Sequence, residues 1–393
     1  MRGAWLDSRA MASADVVVIG AGVHGAAAAF HLASRGVRCV VLDPRGPAGG
    51  PTGRSSAICR SYYTNAFLAG VARDAIAMIR DFEEHTGCPA DFRETGLLVL
   101  HPSEDEAAVR ATVPRLNEQG IATDLLEPRD VAERWPAFDV DDVAVAAFER
   151  GAGYADPVLV TQGLLERARE LGAETRLGAG AATLERRGDG WSVGTTAGET
   201  LTAGRVLIAA GPWTKPLAAQ VGADLALTVE RHIVATFAWG GDVRVPAHGD
   251  LLNGYYFRPE GEDLFLMGPL HPEPTVDPDA VDERLRALES ERMAAALVRR
   301  VRTLEDATAR GGWASVYDVS PDWQPVIGEI ADGVFVDAGT SGHGFKLAPA
   351  LGRHVAELVL GVETDPGLEA FHPRRFDRAE TLDAGFGDAR ILG

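Results

Sequence analysis

The chain has 393 residues, 46% of them hydrophobic, and a formal net charge of −19. That length exceeds what a single core usually serves, so two lobes are expected, and the acidity disfavours nucleic acid and anionic membrane surfaces as partners. Three cysteines without paired spacing, Cys39, Cys59 and Cys88, indicate neither a disulfide framework nor a cysteine zinc site and point to a reducing, cytoplasmic setting.

No apolar run reaches the roughly 18–20 residues that span a bilayer. Residues 1–12 show no period and read as a ragged leader, with Met11 as an alternative start. From Asp15 the chain reads as a strand to Ile19, a glycine turn over Gly20 to Gly25, an alanine-rich helix to about Ser34, and a strand from Arg38 to Asp43. A Gly/Pro-rich loop over 44–53 follows, then a helical pattern from about Phe67 to His85 and a short strand at Leu97 to Leu100. Further on come a helix over Pro157 to Leu171, a hairpin pairing Trp191–Gly194 with Glu199–Thr202, and the strand Arg205–Ala210 ending in Gly211-Pro-Trp213. The segment 217–313 is β-rich, with strands His232–Trp239, Tyr255–Arg258 and Leu264–Met267 and a charged helix over Asp279 to Val301. The strand Gly333–Gly339, the loop Thr340–Gly344 and a helix from Phe345 to Leu360 close the pattern. The architecture expected is α/β. A dinucleotide-binding Rossmann-type domain, discontinuous in sequence (13–86, 146–216 and 314–393), carries a second, β-rich domain (87–145 and 217–313).

Gly20-x-Gly22-x-x-Gly25 lies between a strand and a helix, where glycines permit a tight turn, close approach to a pyrophosphate and helix–strand packing. The helix N-terminus then faces the anion, and Asp43, at the end of the next strand, can accept hydrogen bonds from ribose hydroxyls. The fingerprint alone does not separate NAD from FAD.

Together with this unit, Ala209-Ala-Gly-Pro-Trp-Thr214 and the run from Tyr317-Asp-Val-Ser-Pro-Asp322 to Ser341-Gly-His-Gly-Phe-Lys346 resemble the D-amino-acid oxidase superfamily, in its sarcosine oxidase and dimethylglycine dehydrogenase branch. The resemblance implies FAD, with contacts expected from Gly20, Gly22, Val23, His24, Gly25, Asp43 and Pro44, from Arg54, Ser55 and Ser56, and from Ala182, Ala210, Gly211 and Trp213. Gly339, Gly342, His343, Gly344, Phe345 and Lys346 complete that set. The glycine loop opening into a helix suits the negative charge of a reduced flavin. Relatives often attach the flavin through a cysteine, where Ser315 stands here, or through a histidine, where Arg54-Ser55-Ser56 stands, so noncovalent FAD is expected.

The same resemblance implies a substrate carboxylate held by Arg60 and Lys346, one of only two lysines in the chain, the other being Lys215. An arginine fork and a compact ammonium fix both oxygens. Of Tyr255 and Tyr256, alternation lets one face the flavin, and Tyr255 is preferred, against the alternative of two half-buried sheet tyrosines. His343 is a candidate donor to substrate or flavin. Two departures weaken the case for sarcosine and rapid oxygen use: no lysine stands at Leu264–Met267, and Ala57 replaces a second arginine. The expected reaction is oxidation of a small amino acid or N-alkyl amino acid by hydride transfer to flavin N5, giving an imine that hydrolyses, with oxygen or another acceptor taking the electrons. A 2-hydroxy-acid dehydrogenase, or a flavoprotein subunit passing electrons within a complex, remains the alternative.

Overall fold

A computed structural model describes residues 13–239, 245–382 and 385–386, so the expected leader lies outside the described residues. In strand Ser13–Ile19 the β-branched run Val16 to Ile19 is buried on both faces, as a central parallel strand must be. It pairs in parallel with Cys39–Asp43 on one side and with Thr200–Ile208 on the other. Glu174–Leu177 extends the sheet beyond Cys39–Asp43, and Val334–Ala338 adds in parallel to the second half of Thr200–Ile208. The first half of that long strand forms the expected hairpin with Gly190–Thr195, so one strand serves both.

Helices Val23–Ala33, Pro157–Glu170 and Gly344–Leu360 cover one face of this sheet. Ala26 to Ala29 are small and fully buried, and a Cβ added at Gly352 would lie 2.7 Å from the Ala27 Cβ. The first and last helices therefore meet backbone against backbone. This contact brings their N-termini side by side at the carboxyl end of the sheet, where ligands of open α/β sheets bind.

The second sheet runs in the order Thr308–Val319, Thr228–Ala238, Leu264–Pro269, Tyr255–Glu260, Ala247–Asp250, Leu97–His101, Val145–Glu149 and Thr123–Leu126. The boundaries expected at 146 and 314 cut through two of its strands: Val145–Glu149 pairs with Leu97–His101, and Thr308–Val319 pairs along its length with Thr228–Ala238. The charged helix is shorter than expected, Ala287–Arg300, because 279–280 turn and 281–286 pass Trp313 through an isolated bridge at Arg284 before Arg286 and Glu289 cap the helix start. Its apolar stripe, Met293, Ala296 and Leu297, packs with Ile233, Ala235, Phe257, Phe265 and Met267 on one face of the sheet. The opposite face, with Leu97, Val99, Ala147 and Tyr256, turns toward the first unit. Among the described residues no helix is long and apolar enough to cross a membrane, and no cluster of His, Cys, Asp and Glu could hold a metal ion.

Arg300 anchors the helix to the sheet: its Nε donates to Asp250 Oδ2 at 2.8 Å, with both side chains at or below 1% exposure. Replacing Arg300 with Met should leave Asp250 buried without its cation and cost about 3–5 kcal/mol. Urea unfolding should show the lower midpoint; a loss under about 1 kcal/mol would mean that water or a neighbour replaces the arginine.

Candidate active site

A cavity of about 610 Å³ opens at the carboxyl ends of Ser13–Ile19 and Thr200–Ile208. Gly20, at φ +113°, has room for no side chain, since a Cβ there would sit 2.2 Å from the Ala209 carbonyl oxygen. Gly25 presses on the Gly20 carbonyl in the same way, at 2.0 Å, so it packs helix on strand and does not line the cavity. Gly22 faces the open space, with Thr52 Oγ1 at 3.2 Å from a Cβ position, and caps the helix without a side-chain partner. The three glycines thus divide their work as the spacing implies: turn, close approach and packing.

Asp43 ties the next turn together. Its Oδ2 accepts from Ala21 N at 2.8 Å, and its Oδ1 accepts from Arg45 N and Gly46 N at 2.7 and 2.8 Å. It lines the cavity beside Pro44, next to Gly180, Ala181 and Thr196. Ala182, expected here, lies one residue too far along its strand and is exposed. Ala210, Gly211 and Trp213 form another wall, where the Arg45 guanidinium stacks 4.3 Å from the Trp213 ring and Trp213 Nε1 donates to Asp279.

The far end is built from Val316, Tyr317 and Asp318 together with Thr340, Gly342, Gly344 and Phe345. Ser341 and Gly342 are left-handed, at φ +50° and +82°, which turns the loop into the N-terminus of Gly344–Leu360. Asp318 Oδ2 accepts from Gly339 N at 2.6 Å, and Gly339 packs against Leu227 and Val326 instead of lining the cavity. His24 locks the two helix starts together, its Nδ1 2.9 Å from both Asp337 oxygens and its Nε2 3.1 Å from the Gly344 carbonyl. Burial opposes charge on this ring, but Asp337, and Asp318 beyond it, outweigh burial and hold its pKa above the usual value.

Ser55 lines the cavity, whereas Arg54 and Ser56 serve its frame. Arg54 pairs with Glu283 at 2.8 Å and its carbonyl accepts from Trp313 Nε1, while the Ser56 carbonyl accepts from Arg258 Nε. Both contacts fasten the 51–57 loop to the second sheet.

Beyond Phe345 a second group of side chains lies in the interior. Arg60 and Lys346 are 2% and 7% exposed and within electrostatic reach of each other. Burial, and then Arg60, push the Lys346 ammonium well below the ordinary lysine range. The Arg60 guanidinium lies 4.3 Å from the Tyr63 ring, donates to the Tyr62 carbonyl, and follows Cys59, whose thiol is pushed up to about 12 chiefly by burial. His343 is fully buried with its ring 5.6 Å from that of Tyr63, and Lys346 Nζ is 3.5 Å from the His343 carbonyl.

The expected orientation of the tyrosine pair is reversed. Tyr255 points to the helix side of the sheet, where its hydroxyl meets His248 Nε2 at 3.3 Å. Tyr256 occupies the inner face, its hydroxyl close to Ser56 and Tyr317, and it is Tyr317 that lines the cavity. Side-chain alternation permits no other outcome once Tyr255 is held by His248. The sequence patterns do not single out Thr52, Arg45, Gly180, Thr196 or Asp337. Of these, the glycine-rich 44–53 loop was a usable signal for Arg45 and Thr52, whereas the others depend on contacts remote in sequence.

The cavity fits FAD on its own terms: a glycine cradle that a Cβ would fill, an acid at the strand end, and two uncapped helix N-termini facing one elongated space. Comparison with known proteins agrees. The profile of the DAO family, FAD-dependent oxidoreductases, matches residues 15–358. Monomeric sarcosine oxidase of Streptomyces avermitilis is 27% identical, over 93% of this chain and 98% of its own. Dimethylglycine dehydrogenase of Rattus norvegicus is 25% identical over 96% of this chain, which spans 46% of that longer protein. Among solved structures, L-proline dehydrogenase from P. horikoshii superposes with a TM-score of 0.85 at 25% identity, covering 95% of this chain and 100% of its own. The chain belongs to the DAO family and is an FAD-dependent oxidoreductase.

Proposed function

We propose that the protein oxidises the C–N bond of a small amino acid or N-alkyl amino acid. The observation that carries this reading is the burial of two basic side chains, Arg60 and Lys346, within electrostatic reach of each other just beyond Phe345. A substrate carboxylate entering beside them matches the arginine fork and favours the protonated form of the lysine. Relatives acting on sarcosine and L-proline, both amines that carry a carboxylate, support the same class.

Bound FAD supplies the two-electron acceptor. The chain's own residues bind and orient. Arg60 and Lys346 take the carboxylate, Tyr63 stacks on Arg60 and limits its rotamers, and the Tyr256–Tyr317 hydroxyl pair forms the opposite wall. The amine nitrogen, once neutral, drives oxidation with its own lone pair, so the site needs no strong base of its own.

Anaerobic titration of the yellow holoenzyme with sarcosine, L-proline, glycine and other N-methyl and cyclic amino acids should bleach the flavin band with at least one of them. No bleaching across the panel would overturn the amine reading. Arg60→Gln and Lys346→Met should each lower kcat/KM for that substrate by about 2–5 kcal/mol, at least roughly thirtyfold, while leaving the FAD spectrum in place. Ser315 occupies the second-sheet strand that faces the flavin end, and Cys59 is buried with a raised pKa that disfavours the thiolate. Noncovalent FAD follows, and acid precipitation should leave all yellow colour in the supernatant; a yellow pellet would contradict this.

A further inference from the structure

Glu149 is buried at 3% exposure on strand Val145–Glu149 of the second sheet. Its Oε1 accepts from Ser61 N at 2.9 Å, and its Oε2 accepts from Ser61 N and Tyr62 N at 2.8 and 3.0 Å. These are the two peptide N–H groups that follow Arg60. The carboxylate therefore grips the backbone that carries the arginine and sits within electrostatic reach of its guanidinium.

We propose that Glu149 is a positioning residue for substrate binding: it fixes the Arg60–Tyr62 segment and supplies the counter-charge that an incoming substrate carboxylate displaces. This rests on the reading that Arg60 binds that carboxylate. In the free enzyme the charge of Arg60 acts on Glu149. A carboxylate arriving on Arg60 puts a second negative charge beside Glu149 in a dry interior, and Glu149 relieves the repulsion by taking a proton from solvent. Glu149 is suited to this because burial, only partly offset by Ser61, Arg60 and Tyr62, raises its pKa to about 7.

The charged and titratable groups that face it are Arg60, Cys59 and Tyr63 on the same segment. Lys346, from the closing helix, lies beyond them against Arg60 and Cys59. Its strand partners, Leu97 and Thr123, carry no charge. The sign follows from the linkage. A group whose proton affinity rises on binding makes binding weaken as pH climbs above its free-enzyme pKa, here from about 7 upward. Lys346, depressed in the empty site and re-protonated beside an anion, contributes in the same direction.

The test is a flavin-band titration of the holoenzyme with benzoate, a carboxylate without an amine to titrate, from pH 6 to pH 8. Wild type should bind less tightly at pH 8. Glu149→Gln should lose part of that slope and bind benzoate at pH 8 at least about threefold more tightly than wild type. Lys346→Met should keep the Glu149 share of the slope. A Glu149→Gln variant that weakens binding equally at every pH, with the wild-type slope intact, would overturn the proposal and leave Glu149 a structural clamp. Benzoate binding unchanged in Arg60→Gln, or undetectable in wild type, would overturn the underlying reading of Arg60 instead. Should Glu149→Gln fail to retain flavin, infrared difference spectra of wild type decide the matter. A protonated-carboxyl band that appears with benzoate and does not move with carboxyl-labelled benzoate supports proton uptake, and its absence refutes it.

Discussion

Burial of positive charge is the constraint around which this molecule is arranged. A chain with a net charge of −19 keeps Arg60 and Lys346 inside, at 2% and 7% exposure, and points two uncapped helix N-termini into the same elongated space. Together they make an interior suited to anions, and on that basis we propose that a substrate carboxylate binds beyond the cofactor site.

The two sheets meet around that interior. The first provides glycine turns that let helices start close to the ligand. The second approaches from the side, and the 51–63 segment between them is fastened at several points: Arg54 to Glu283, Ser56 to Arg258, and Ser61 and Tyr62 to Glu149. Cys59, Arg60 and Tyr63 are thus carried on a strip of chain gripped by the second sheet on one side and facing the Gly344–Leu360 helix on the other. Rigid support of this kind is what positions a binding group to a fraction of an ångström. The His24–Asp337 pair does the same for the two helix starts.

The dinucleotide unit was legible in the sequence because its demands are local. Gly20, Gly22, Gly25 and Asp43 act through backbone conformation and a single βαβ turn, and the structure gives each a distinct steric reason. What depended on distant contacts was not legible. His24 and Asp337 are 313 positions apart, and Glu149 reaches back 88 residues to Ser61, so neither pair leaves a spacing signal. The choice between Tyr255 and Tyr256 failed for a related reason. Alternation says that one faces inward, but the register is fixed by His248 on the helix side. Ala182 and Arg54 were placed one strand position and one ion pair away from their observed settings, errors of a kind that only tertiary packing resolves.

The central claim is that recognition runs through the substrate carboxylate. The most direct measurement compares, anaerobically, how fast the flavin is bleached by an active amino acid and by its decarboxylated counterpart, such as L-proline against pyrrolidine. The account predicts that pyrrolidine reacts at least roughly thirtyfold less efficiently, with the deficit shrinking in Arg60→Gln. Equal rates for the pair in wild type would contradict it, and would leave the two buried basic side chains without the role assigned to them.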